Sequence, residues 1–281
     1  ALSHSGAADP EVLGPKTLLQ VKGLLHSYGW LTGRRQAETL TLKGVSFKIE
    51  RGEMLGLLGP NGAGKTTAIR CITGEEAPKE GSVSIGSEVP GGACIGLCPQ
   101  DTVINGDLTV FENLLFFAHV RGVSGDAARR AVAEILRATR LEEKQHALPD
   151  ALSGGMRRRL AVGCAMIGVP SVVILDEPTT GLDPVSRRGI WETIAEVKQA
   201  GGCCLLTTHM LEEAEHLASY LVILRKGAVA AEGSVQALKN EWGQGYMLSV
   251  DSEESKEAEA QEFVTSLLGP EDRMPVKSQR H

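Results

Sequence analysis

Apolar positions change their spacing several times along this 281-residue chain, and each change predicts an element. Residues 18–24 and 42–49 read as strands, and in the second Val45, Phe47 and Ile49 alternate onto one face. The Gly-, Arg- and Thr-bearing stretch 29–38 is the expected hairpin loop between them. Residues 54–58 form a short apolar run, as a strand covered on both faces would. A helix then opens at Lys65 and runs to Ile72. From 109 to 140 the spacing becomes helical: Val110, Leu114 and Phe117, then Val132, Ile135 and Leu136, recur every three or four residues. Gly122 and Gly125 bound the break between two helices. Beyond them the pattern predicts a helix over 154–167, a buried strand at 172–175 and a helix at 186–198. A strand at 203–207, a helix at 211–217 and a strand at 221–224 follow. Strands alternating with helices in this order predict an α/β fold with a mainly parallel sheet and flanking helices.

Composition narrows the class without changing that picture. With 42% apolar and 23% charged residues, the chain is neither disordered nor collagen-like. A net charge of −6 lacks the basic field of a dedicated nucleic-acid binder, so no nucleic-acid partner is expected. Cys71, Cys94, Cys98, Cys164, Cys203 and Cys204 lie in apolar surroundings without paired ligand spacing, as reduced, buried thiols of a cytosolic protein do. The longest apolar stretch, 160–175, is interrupted by Pro170 and falls short of the ~20 residues a membrane-spanning helix needs. It reads as a buried helix followed by a buried strand. Residues 1–16 lack the layout of a signal peptide, and the chain starts at Ala1 without a methionine, as a processed or excised chain would. Residues 251–262 are acid-rich and 271–281 polar, so the end of the chain reads as a poorly ordered tail or a truncated further domain. The triplet Arg157-Arg158-Arg159 reads as a solvated helix face.

Glycine is the outlier: 33 residues, where average usage of about 7% would give roughly 20. Part of the excess falls in Gly59-Pro60-Asn61-Gly62-Ala63-Gly64-Lys65-Thr66, which lies between a predicted strand and a predicted helix. That is the phosphate-binding loop pattern in its proper context. Glycines let successive N–H groups converge on phosphate oxygens, and the helix start adds its positive dipole end. Lys65 places a charge on the β- and γ-phosphates, the Thr66 hydroxyl is a Mg²⁺ ligand, and Thr67 belongs to the same turn. A second cluster follows the apolar run Val172-Val173-Ile174-Leu175, which ends in Asp176-Glu177. Asp176 would hold Mg²⁺, and Glu177, pointing differently, would polarise the water that attacks the γ-phosphate. Other glycines, such as Gly74, Gly122 and Gly227, read as ordinary turns.

Leu152-Ser153-Gly154-Gly155-Met156 opens a helix, and by itself Ser153 is an adequate N-cap. Beside the two clusters above, however, the segment resembles the signature of ATP-binding cassette (ABC) ATPases. The remaining family marks follow in order. Tyr28 stands where an aromatic stacks on adenine, and Gln100 where a glutamine senses Mg²⁺ and a transmembrane partner. Gly181-Leu182-Asp183 matches the loop that crosses the dimer interface, and His209 the switch histidine at the γ-phosphate. The resemblance covers residues 18–233 and implies a P-loop NTPase core with an antiparallel β subdomain and a helical signature subdomain. The implied division is an N-terminal extension 1–17, an ATPase domain 18–240 with its helical part at 101–168, and a C-terminal extension 241–281.

Two positions depart from the family pattern: Met156 where Gln is common, and Thr180 where Ser is common. Neither removes a phosphate ligand, so an active site is expected. Met156, Gly233-Ser234, Leu238-Lys239 and Gly245-Tyr246 look most like the eukaryotic A subfamily, which moves lipids. The resemblance implies ATP and Mg²⁺ as cofactors, and two cassettes clamped head to tail around two ATP molecules. One cassette supplies Lys65, Thr66, Gln100, Asp176, Glu177 and His209; its partner supplies Ser153, Gly154 and Gly155. Transmembrane domains would turn closure and release into transport, at the cytoplasmic face of a membrane. Two readings compete. One is a soluble ABC ATPase acting on ribosomes or DNA, disfavoured by the single cassette and by the lack of heptads between Gln100 and Ser153. The other is a nucleotide-binding regulator without turnover, disfavoured by the presence of both Glu177 and His209.

Overall fold

The computed structural model describes residues 16–28, 40–86, 95–198 and 203–242. The expected loop at 29–38, Cys94, the Gly245-Tyr246 step and both chain ends lie outside the described residues. Residues 1–240 and 241–281 form two compact units.

Strands β1 (Thr17–Ser27) and β2 (Leu40–Glu50) pair antiparallel, with Leu19 opposite Ile49 and Val21 opposite Phe47. β3 (Met54–Leu58) leads into helix α1 (Lys65–Thr73). β4 (Glu80–Ile85) returns to the other edge of β1, completing a three-stranded antiparallel sheet in the order β2-β1-β4. After β5 (Ile95–Cys98) come α2 (Val110–Val120), α3 (Gly125–Thr139), two short 3-10 turns and α4 (Gly154–Met166). The chain then alternates through β6 (Val172–Asp176), α5 (Pro184–Lys198), β7 (Cys203–Thr208), α6 (Leu211–Leu217) and β8 (Tyr220–Arg225). β9 (Ala228–Ser234) folds back on β8, and α7 (Val235–Trp242) follows.

The second sheet runs β5-β6-β7-β3-β8-β9, parallel except for the antiparallel β9. Its central strands are buried on both faces, which is why they read as unbroken apolar runs. Alternate residues serve opposite cores. Val173, Leu175, Cys204 and Leu206 face the cluster formed with α2, α3, α4 and α5. Val172, Ile174, Cys203 and Leu205 face the one formed with α1 and the antiparallel sheet. Truncating one of these leucines to alanine would cost about 2–5 kcal/mol. The stretch 160–175 is divided between α4 and β6, and among the described residues no helix is long and apolar enough to cross a membrane. The described cysteines are buried and reduced; burial pushes the Cys71 and Cys98 thiols up to about 11.

Local chemistry explains the element starts. Thr109 and Glu112 form a reciprocal capping box on α2. α5 begins two residues earlier than its apolar pattern predicts, because the Asp183 carboxylate accepts the N–H groups of Val185 and Ser186, each at 3.0 Å. Pro184, with its preset φ, fits the first helical position there. β4 and β9 carry weak alternation and small residues, so periodicity alone does not reveal them. Gly227 is no ordinary turn residue. Its N–H donates to the Ala63 carbonyl (3.0 Å), and a side chain there would collide with the Thr41 carbonyl.

Candidate nucleotide site

The C-terminal ends of β6, β7 and β3 lie side by side, with Asp176 opposite Thr207 and Thr208 opposite Leu58. Sequence-distant motifs meet there. The phosphate loop leaves β3: the Gly59 N–H donates to Thr208 O (3.2 Å), and the Ala63 N–H donates back to Pro60 O (3.1 Å). Gly64, the residue before α1, holds φ 109°, a backbone conformation that side chains resist, and no side chain caps this helix. Its first-turn N–H groups have no intrahelical acceptors, which makes the helix start a ready anion site. Asn61, Gly62 and Thr66 are exposed at the mouth, whereas Ala63, Gly64, Lys65 and Thr67 are buried. The Lys65 ammonium, on a side chain 5% exposed, donates to Gly59 O (2.8 Å) and Pro60 O (3.3 Å), and pairs with Glu177 Oε1 at 3.1 Å.

Two adjacent carboxylates at the end of β6 have opposite environments. Asp176 is buried, and the Thr207 hydroxyl donates to its carboxylate. Burial pushes its pKa above the ordinary carboxylate range, against the pull of Thr207 and Lys65. Glu177 has φ 45°, which costs a residue with a side chain about 1–3 kcal/mol. Its N–H donates to both the carbonyl and the hydroxyl of Thr207. Its carboxylate meets Lys65, accepts from the Thr180 hydroxyl (3.0 Å) and faces His209 Nδ1 at 3.2 Å. Burial again works to raise the pKa, but Lys65, Thr180 and His209 outweigh it, and Glu177 is held below the ordinary range. Thr180, the departure from the family's serine, thus keeps the hydroxyl that matters. The donor set Thr66, Gln100 and Asp176 is all hard oxygen, which fits Mg²⁺.

The other expected residues stand at the ends of strands and helices. Tyr28 follows β1, is 52% exposed, stacks edge-on against His26 and has its hydroxyl 3.4 Å from Thr67 Oγ1. Gln100 is exposed two residues beyond β5, and His209 follows directly on β7. Ser153 and Gly154 are exposed at the start of α4, where the Ser153 hydroxyl accepts the Met156 N–H (3.2 Å). A side chain at Gly155 would press on Ser186 Oγ, whereas one at Gly154 would meet nothing among the described residues. Asp183, expected at the dimer interface, spends its carboxylate within the chain as the cap of α5.

The arginine triplet is not a solvated face. Arg157 alone is exposed; the Arg159 guanidinium donates to Thr139 O, and Arg158 is buried against backbone carbonyls. Helical geometry turns consecutive residues about 100° apart, so a run of three like residues cannot share one environment. Glu213 is a second group that the sequence pattern does not reveal. It is 1% exposed and accepts from the Thr179 hydroxyl (2.7 Å) and the Trp191 indole (3.1 Å).

Residues 42–180 match the family model described as ABC transporter. The chain is 43% identical over 211 residues to Nod factor export ATP-binding protein I of Burkholderia orbicola, covering 73% of this chain and 69% of that protein. It is 38% identical over 267 residues to ATP-binding cassette sub-family A member 9 of Mus musculus, covering 92% of this chain but 16% of that one. Among solved structures, the ATP-binding subunit of an ABC transporter aligns with TM-score 0.67 at 34% identity, covering 81% of this chain and 94% of its own. A dimeric ATP-binding cassette in a post-hydrolysis state with ADP and Pi aligns with TM-score 0.65 at 25% identity, covering 78% and 99%. With relatives this close over most of its length, the chain belongs to the ABC transporter family, as an ATP-hydrolysing domain that powers transport and resembles the A subfamily.

Proposed function

We propose that this domain drives lipid export across a membrane, by closing on a second cassette around ATP and reopening on hydrolysis. One observation carries the chemistry: Lys65, Thr180 and His209 converge on the Glu177 carboxylate at the mouth of the phosphate loop. That carboxylate is held ionised, the state a general base needs. The first-turn N–H groups of α1 and the Lys65 ammonium bind the β- and γ-phosphates. As the ammonium moves to phosphate, it releases Glu177 to take the proton of the attacking water. His209, one residue beyond β7, steadies the γ-phosphate from the other side. Tyr28 receives the adenine. Thr66, Gln100 and Asp176 would hold Mg²⁺, which when bound neutralises charge on the phosphate oxygens.

Ser153, Gly154 and Gly155 act on the partner's nucleotide in this reading. Support comes from their exposure, from the open space at Gly154, and from a related cassette solved as a dimer. The interface loop Gly181-Leu182-Asp183 lies beside them, with Gly155 against Ser186 of α5. An open cleft lined by Gln100, Thr102, Ile104, Pro149, Asp150 and Leu182 offers a seat for transmembrane domains at the cytoplasmic face of the membrane. Likeness to a sub-family A member over 92% of the chain supports a lipid substrate, and the name of the bacterial relatives supports export.

Glu177→Gln tests the reading, since it keeps the shape and removes the charge. ATP binding should persist and a closed dimer accumulate, while steady turnover falls roughly 10²–10⁴-fold. Steady ATPase activity in this variant would overturn the base assignment.

A further inference from the structure

Arg158 makes contacts that nucleotide binding does not require. Its guanidinium donates to the carbonyls of Pro99 (2.6 Å), Gln100 (3.0 Å), Asp176 (3.0 Å), Glu177 (3.2 Å) and Pro178 (2.7 Å). β5 and β6 are neighbouring parallel strands, and these five acceptors lie where their ladder runs out. There the carbonyl dipoles converge beyond the last pair of the β5–β6 ladder, Cys98 and Leu175. The residue that collects them is 5% exposed and stands on α4, the helix that Ser153 opens. An arginine suits this because its donors form a rigid planar fork, able to span acceptors on two strands at once.

We propose that Arg158 is a positioning residue for hydrolysis, coupling the signature helix to the side chains that handle Mg²⁺ and the attacking water. The proposal rests on the reading of Glu177 as the base. Gln100, Asp176 and Glu177 each carry a functional side chain on the same residue whose carbonyl Arg158 holds. Glu177 is the sharpest case. Its N–H is fixed by Thr207 and its carbonyl by Arg158, so the peptide planes on both sides of its unusual φ of 45° are clamped. Rotating either plane swings the carboxylate away from Lys65 and His209. Because the fork is rooted in α4, a tilt of the signature end is transmitted to Gln100 and Glu177 as one movement. ATP affinity draws on other elements: β3, α1 and the end of β1.

The test compares the full chain carrying Arg158→Lys, and separately Arg158→Gln, with the parent. Melting temperature, ATP dissociation constant and kcat are measured, the last at protein concentrations that saturate turnover. We expect kcat to fall roughly ten- to hundredfold while ATP affinity stays within about twofold, as for a misaimed base beside an intact binding loop. Lysine, which keeps the charge, should retain more activity than glutamine. Unchanged kcat would overturn the proposal. So would equal losses of kcat and affinity, a loss of turnover that merely tracks the folded fraction, or failure of both variants to fold, since each marks Arg158 as structural only. Glu177→Gln measured alongside separates the two ideas. Lost turnover there with normal kcat in Arg158→Lys removes only the role of Arg158, whereas persistent turnover in Glu177→Gln removes the base as well.

Discussion

The phosphate-loop end of the sheet and the signature end of α4 are both helix starts rich in glycine, yet they are built in opposite ways. At the first, Lys65, Asp176 and Glu177 are each under a tenth exposed and locked by one another, by Thr207 on β7 and by Gly59 in the loop after β3. At the second, Ser153 and Gly154 are exposed, and the Ser153 hydroxyl caps the helix at the Met156 N–H. The first region is preorganised by its own chain, which is how electrostatic stabilisation of a developing charge becomes effective. The second presents the same kind of groups at the surface of the described residues. That asymmetry supports the proposed division of the site between two cassettes.

The comparison can be broken by mutation. Lys65→Ala should have the largest effect, because it removes a buried cation from both phosphate and Glu177. Titration of the full chain with ATP should show a loss of about 2–5 kcal/mol in binding, at least thirtyfold in Kd. A near-normal Kd would mean that the loop amides alone bind the phosphates. Ser153→Ala comes next. The cap itself is worth about 1 kcal/mol of helix stability. Loss of a hydrogen bond to charged phosphate should lower turnover about ten- to hundredfold, with ATP affinity of the single chain nearly unchanged. Equal losses in both would place Ser153 in its own chain's site and erase the asymmetry. Tyr28→Ala should have the smallest effect: an exposed stacking contact is worth about 0.5–1.5 kcal/mol, so ATP affinity should fall severalfold to about tenfold with kcat preserved. If guanosine and adenosine triphosphates weaken equally, the ring provides a stacking platform rather than base selection.

Much of this was legible in one dimension, for a physical reason. A strand buried on both faces must be apolar throughout, so β3, β6 and β7 stand out as runs. A phosphate cradle needs glycines at fixed spacing before a helix, so residues 59–66 declare themselves. The rest leaves no mark in the spacing of apolar residues. α5 starts two residues before its apolar pattern does, because Asp183, not periodicity, sets it. β4 and β9 escaped because strands with small or exposed residues leave no alternation to read. The arginine triplet looked like solvated charge, since composition does not say which of three consecutive helical residues turns inward.

The sequence by itself determined the chemistry available: a phosphate loop, two adjacent carboxylates, a histidine after a buried strand and a serine-glycine helix start. These are local patterns, dictated by backbone conformation and burial within a few residues. Only the tertiary structure decided how they act together. It placed Lys65 and His209 on the same Glu177 carboxylate, gave Asp176 and Glu177 opposite pKa shifts, and set Gly227 behind the phosphate loop. It also buried Arg158 where five carbonyls meet. Strand order fixes which chain segments become neighbours, and no spacing within one segment encodes that order.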